Sequence, residues 1–117
     1  MKHFKRSEFD CPCCGQNEMD NTFLDFLDKA RVKAGVAFVV NSGFRCADHN
    51  KAVGGKPTSS HLVGMAADIE AKGAKNLWKI AAALMVVGFT RLGIGDGFIH
   101  VDMDPDKNAR RMWTYYK

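Results

Sequence analysis

The chain carries two hydrophobic periods, and they switch several times along its length. Over residues 20–34 the apolar side chains Phe23, Phe26, Leu27, Ala30 and Ala34 recur at helical spacing, and Gly35 supplies a stop. AFVVN, residues 37–41, is a short β-branched run that reads as a buried strand. Residues 46–53 fit a short helix, and the GGKPTSS that follows is loop by composition. Helical spacing returns over residues 74–87, where Leu77, Ile80, Ala81 and Leu84 form one stripe and Trp78 reads as core or groove wall. Residues 90–94 read as a further strand.

Two segments alternate with a period of two. In residues 65–70, Met65, Ala67 and Ile69 point one way while Ala66, Asp68 and Glu70 point the other. In residues 98–103, Ile99, Val101 and Met103 share one face, and Phe98, His100 and Asp102 share the opposite one. GIGDG between the last two strands predicts a hairpin. Together these elements predict a single α+β domain over residues 1–117: a small, largely antiparallel sheet covered on one face by helices. The helices would bury Met65, Ile69, Ile99 and Val101, leaving Asp68, His100 and Asp102 on the open face. The tail RRMWTYY is expected to pack back on the body, with Trp113, Tyr115 and Tyr116 in the core rather than along a cleft.

Length and composition fit this picture. A chain of 117 residues with 46% hydrophobic and 26% charged residues can bury a core as one soluble globule. The formal charge of +4 is mild, and the chain has neither a dense Lys/Arg run nor a nucleic-acid signature, so no nucleic-acid partner is expected. The longest apolar run, IAAALMVVGF, is too short to span a membrane. MKHFKRSEFD has no signal-peptide pattern, which predicts synthesis in the cytoplasm. A monomer is expected. Of the four cysteines, Cys11, Cys13 and Cys14 cluster in CPCCG, and Cys46 lies far away. The favoured reading is a tight turn with free or partly buried thiols; a disulfide to Cys46 and a second metal site are the alternatives.

The chemistry lies in SSHLVGMAADIE. His61 sits in the loop that leads into the strand bearing Asp68, and His100 projects from another strand on the same face. Two imidazoles and one carboxylate leave one tetrahedral position open, as a catalytic zinc requires. Such a donor set also accepts other divalent metals. His3 and His49 have no such partners and read as surface or structural. Glu70 reads as a solvent-facing strand end, and Asp104 and Asp106 around Pro105 read as a turn.

SSHLVGMAAD resembles the Ser-x-His-x-x-Gly-x-Ala-x-Asp motif of the zinc D-alanyl-D-alanine carboxypeptidase family, peptidase family M15, at Ser59, His61, Gly64, Ala66 and Asp68. NSGFRCADHNKAVGG resembles the segment before that motif in the family's small single-domain branch. GIGDGFIHVDMD resembles that branch's closing Phe-x-His-x-Asp strand. The resemblance implies a hedgehog/D-Ala-D-Ala carboxypeptidase-like fold and one zinc per chain on His61, Asp68 and His100. It implies that Arg45 holds the scissile carbonyl oxygen and stabilises its developing charge, and that Ser59 positions the loop or the substrate backbone. The implied substrate is a peptidoglycan stem or cross-bridge peptide, cut by metal-activated water as a carboxypeptidase or an endopeptidase. An enzyme of this kind without a signal peptide would act on the cell wall or in the periplasm, either as a phage lysis enzyme released through a pore or as a bacterial protein exported by another route.

At one position the chain departs from the family. Where several members place an acid three residues before the last histidine, this chain has Gly97. Asp102, on the same strand face as His100, is the first candidate for the general base, and Asp96 in the GDG turn is the second. The competing role for Asp102 is to orient a ligand. Two other readings belong to different classes: a catalytically silent module that binds zinc and wall peptide, and a virion structural component.

Overall fold

A computed structural model describes residues 2–115. Its helices are α1 (Asn21–Ala34), α2 (Ala47–Ala52) and α3 (Ala74–Val87). Its strands are β1 (Val40–Ser42), β2 (Ala66–Glu70), β3 (Arg91–Gly95), β4 (Phe98–Asp102) and β5 (Arg111–Thr114). Short 3₁₀ turns occupy Arg6–Phe9 and Ser60–Val63. The strands form one sheet in the order β1-β2-β4-β3-β5, with every pair antiparallel except β3 with β5. This is the α+β architecture that the two hydrophobic periods predict.

Local chemistry sets the boundaries of the long helices. The Asp20 carboxylate accepts the Phe23 amide at 2.8 Å, which satisfies one of the free N–H groups of the first turn of α1. Gly35 closes the helix in the left-handed conformation. The stripe Phe23, Leu24, Leu27 and Ala30 of α1 and the stripe Ile80, Ala83 and Leu84 of α3 are buried. They share one core with Ala67 and Ile69 of β2, Leu92 of β3, and Ile99 and Val101 of β4. The helices cover one face of the sheet, so the alternating strands turn their polar members to the other.

Four expectations need correction. The strand expected over residues 37–41 is instead a three-residue edge strand, Val40–Ser42, with a register shift against β2. Only Phe38 of that run is in the core, and Val39 is exposed, because an edge strand has sheet on one side only. Met65 precedes β2 and is only half-buried, outside the shared core. Trp78 is 72% exposed, since the helical turn that aims Leu77 and Ile80 at the core carries it round to the far side. Finally, the tail does more than pack back: residues 111–114 add a parallel strand to the edge of β3.

One contact ties the N-terminus to α1. Asp28 accepts the amides of His3 at 2.8 Å and Lys2 at 3.3 Å, and the His3 ring lies 3.2 Å away. Burial works against ionisation of Asp28, but the His3 amide and ring and the Lys2 amide outweigh it, so its carboxyl lies below its usual range. A carboxyl lowered in the folded state contributes stability above its unfolded pKa and loses it as pH falls through the folded value. Stability should therefore decline as pH drops below about 4, and Asp28→Asn should flatten that decline and cost about 1 kcal/mol at neutral pH. Urea midpoints of wild type and Asp28→Asn between pH 2 and pH 7 check this; parallel curves would refute it.

Candidate metal centre

The pairing of β2 with β4 builds the site. Asp68 stands directly across from His100 in the ladder, and Ala66 stands across from Asp102. Both ladder partners point away from the helices, so a carboxylate and an imidazole meet without any loop to hold them. His100 Nδ1 lies 2.9 Å from Asp68 Oδ1. His61 arrives from the 3₁₀ turn Ser60–Val63, and its Nε2 lies 3.4 Å from the same oxygen. One ligand atom from each of His61, Asp68 and His100 falls within 4.8 Å of the others.

The motif's small residues fix the turn that delivers His61. Ser59 caps it, its hydroxyl accepting the His61 amide at 3.3 Å, so this side chain shapes the loop. Gly64 ends it at a φ of 71°, with its α-carbon so close to Glu18 that a Cβ would sit 2.0 Å from the Glu18 carbonyl oxygen. Beside it, the buried Ser60 hydroxyl donates to Asp104 at 2.8 Å and accepts from Lys107 at 2.7 Å, which ties the turn to the segment after β4. Asp104 and Asp106 do form a turn, with the Asp106 amide donating to Asp104 at 3.0 Å.

The far nitrogen of each histidine is occupied. His61 Nδ1 donates to the Gly43 carbonyl at 2.7 Å, which leaves Nε2 with the lone pair, facing Asp68. His100 Nε2 donates to Asp102 at 2.8 Å, and its Nδ1 faces Asp68. Orienting contacts of this type accompany metal-binding imidazoles, so this donor set fits a metal ion held by His61 Nε2, Asp68 and His100 Nδ1. Burial disfavours the Asp68 anion, yet hydrogen bonds and charge from His100 and His61 hold its carboxyl well below the usual range. Burial works against protonation of His100, but the carboxylates of Asp102 and Asp68 raise its pKa.

Asp102 and Asp96 lie in very different places. Asp102 shares the face of His100 but is 1% exposed, held between His100 Nε2 and Arg91 Nε, the latter at 2.7 Å. Burial raises its pKa, and His100 and Arg91 together bring it below the usual value. Asp96 is exposed in the β3–β4 turn and is not among the residues that line the cleft. Arg45 reaches the centre: its Nη2 lies 3.5 Å from Asp68 Oδ2, while Nε and Nη1 donate to Ser42 and the buried Asn50. His3 pairs with Asp28, and Glu70 pairs with Lys72 at the end of β2.

The centre lies in a cleft of about 800 Å³. Phe98, Trp113 and Tyr115 form an aromatic wall, so Trp113 and Tyr115 line the cleft instead of the core; Tyr116 lies outside the described residues. Glycines make room for these rings. A Cβ on Gly93 would sit 2.5 Å from the Trp113 ring nitrogen, and one on Gly95 would sit 2.0 Å from Phe98 Cε1. Arg91 stacks on Trp113 with its guanidinium carbon 5.0 Å from the ring centre. Sequence reading missed Arg91, Asn50 and the Gly43 carbonyl. The alternation of RLGIG was the available signal for Arg91, since it puts Arg91, Gly93 and Gly95 on the face of His100.

Two histidines and one carboxylate thus converge in a cleft, a donor set that could hold one metal ion. A family model for peptidase M15 matches residues 2–102, a span that holds His61, Asp68 and His100. The chain belongs to the peptidase M15 family, a family of metallopeptidases. None of the curated proteins matches the chain.

Metal affinity and turnover of one variant separate the two roles open to Asp102. If it orients His100, Asp102→Asn should weaken Zn²⁺ affinity by about 10–100-fold in competition with a chromophoric chelator. Unchanged affinity with kcat lower by about 10²–10⁴ in the loaded protein would instead make it the base.

Proposed function

We propose that this protein is a zinc-dependent peptidase that hydrolyses peptidoglycan peptides. The observation that carries the reading is the convergence of His61 Nε2, Asp68 and His100 Nδ1, with the far nitrogen of each ring anchored. A zinc ion held by these atoms would supply a water of near-neutral pKa and a Lewis acid for a carbonyl. The chain's own residues do the remaining work. Gly43 and Asp102 hold the imidazoles in orientation. Arg45, itself fixed by Ser42 and Asn50, presents a guanidinium beside Asp68 where a scissile carbonyl oxygen would gain charge. The aromatic wall packs against the peptide and excludes water.

Charge supports the substrate class. Arg45, Lys56, Arg91 and Lys107 line the cleft, against the carboxylates of Asp68 and Asp102. A cationic cleft suits a peptide rich in free carboxylates, as wall stem peptides are. Whether the cut is a D,D-carboxypeptidase or an endopeptidase cleavage follows from the products. The proposed place of action is the cell wall.

One observation favours a second reading, a silent module that binds zinc and wall peptide. Among the described residues lining the cleft, Asp68 and Asp102 are the only carboxylates, and both are engaged. A single experiment separates the readings: metal content by mass spectrometry on wild type and His61→Ala, with hydrolysis of purified peptidoglycan alongside. Cleavage lost in His61→Ala together with one zinc is the expected result. Zinc without cleavage in wild type would support the module, and absence of zinc from the His61 centre even after reconstitution would sink both readings. Arg45→Ala should lower kcat/KM by about 10²–10³ with metal content unchanged, and Arg45→Lys should not restore it, because a point charge lacks the planar fork.

A further inference from the structure

Cys46 is far in sequence from Cys11, Cys13 and Cys14, yet all four are together in space. Cys11, Cys13 and Cys14 come from one tight turn, closed by the Cys11 amide on the Gln16 carbonyl at 2.8 Å and the Gly15 amide on the Cys11 carbonyl at 2.8 Å. Cys46 comes from the start of α2, where its sulfur accepts the His49 amide at 3.4 Å. Cys13 Sγ lies 3.2 Å from Cys46 Sγ and 3.6 Å from Cys11 Sγ, and all four sulfurs lie within 4.8 Å of one another. None of the four is in a disulfide. The tight turn with free or partly buried thiols expected for CPCCG is present, and Cys46 joins its three sulfurs.

We propose that Cys11, Cys13, Cys14 and Cys46 form a second, structural zinc centre that ties the N-terminal segment to the loop carrying Gly43 and Arg45. A disulfide needs two sulfurs facing each other; it gives no reason for four to converge. A tetrahedral Zn²⁺ with Zn–S bonds of about 2.3 Å spaces its sulfurs about 3.8 Å apart, which this cluster meets with shifts of an ångström or less. An all-sulfur set selects thiophilic, tetrahedral metals, and a set of four protein ligands leaves no open position for substrate. Backbone N–H groups point at two of the sulfurs, from Cys46 to Cys11 at 3.4 Å and from His49 to Cys46, as metal-bound thiolates require of their surroundings.

The tie lands beside the candidate catalytic centre. The Phe44 amide donates to the Phe9 carbonyl at 2.8 Å, so the chain on each side of the cluster already runs together. Between Phe9 and Cys46 lie the Gly43 carbonyl that orients His61 and the Arg45 side chain that reaches Asp68. Crosslinking Cys46 to the N-terminal turn therefore restrains both without touching either. The assignment does not depend on what the His61 centre hydrolyses.

The test uses His61→Ala, which leaves the cysteine cluster as the metal site, purified under reductant and reconstituted with zinc. The expected result is one zinc per chain in His61→Ala, two in wild type and one in Cys14→Ser. Titration of His61→Ala with an organomercurial should release zinc in step with thiol modification. Cobalt in the same variant should give the intense near-ultraviolet absorption of thiolate-to-metal charge transfer. Cys14→Ser should lower Tm by about 10 °C or more. If Cys14→Ser does not fold, the mercurial titration and cobalt spectrum of His61→Ala decide alone. No zinc in His61→Ala, four thiols that react without metal release, or the intact-mass deficit of a disulfide would overturn the proposal, and iron in place of zinc would overturn the metal assigned.

Discussion

Everything at the metal centre depends on the register between β2 and β4. Asp68 faces His100 because Ile69 faces Ile99 and Ala67 faces Val101, and those four apolar side chains are fully buried against the helices. A slip of one residue would exchange the two faces, burying Asp68 and His100 under α3 and exposing Ile99 and Val101. The core therefore fixes the chemistry: the free energy of burying one face is what holds the ligands together on the other. His61, the third ligand, does not share this support and instead relies on a 3₁₀ turn pinned by Ser59, by Gly64 against Glu18, and by the Gly43 carbonyl.

Around this frame two guanidinium groups, two carboxylates and an imidazole form one continuous chain: Arg45, Asp68, His100, Asp102, Arg91. Burying a carboxylate such as Asp102 without partners would cost several kcal/mol, and the imidazole and guanidinium on either side offset that cost. Each member is held by its neighbours, so the imidazole of His100 has little freedom to turn. Among the described residues no buried side-chain nitrogen or oxygen lacks a hydrogen-bond partner, which accords with a polar network complete on its own face of the sheet.

Much of this was legible in the sequence because period-two alternation is a local signal. It set Asp68 and His100 on one face and Ile69 and Ile99 on the other without knowledge of the fold, and it set Asp102 there too. It could not tell that Asp102 would be sealed under Arg91, because Arg91 faces Asp102 only through the β3–β4 register, which a hairpin signal places to within a residue or two. β5 was missed for a related reason: Arg111 to Thr114 is largely exposed, carries no buried alternation, and pairs in parallel with a strand reached through a long connection. The cysteines were the hardest to read. Their convergence spans 33 residues from Cys13 to Cys46 and depends on how the N-terminal turn docks, which no local pattern records.

The glycines of β3 divide labour within the sheet. Asp68 and His100 stand on β2 and β4, whereas room for the wall beside them is made on β3, where missing Cβ atoms at Gly93 and Gly95 let Trp113 of β5 and Phe98 of β4 lie close. A methyl group at Gly93 would meet the Trp113 ring and one at Gly95 the Phe98 ring, so either substitution reshapes the cleft wall. The metal ligands and the glycines that make room for the wall are thus different positions of one sheet. A descendant of this chain could change which peptides it admits by substitutions at two small positions, with its metal ligands inherited intact.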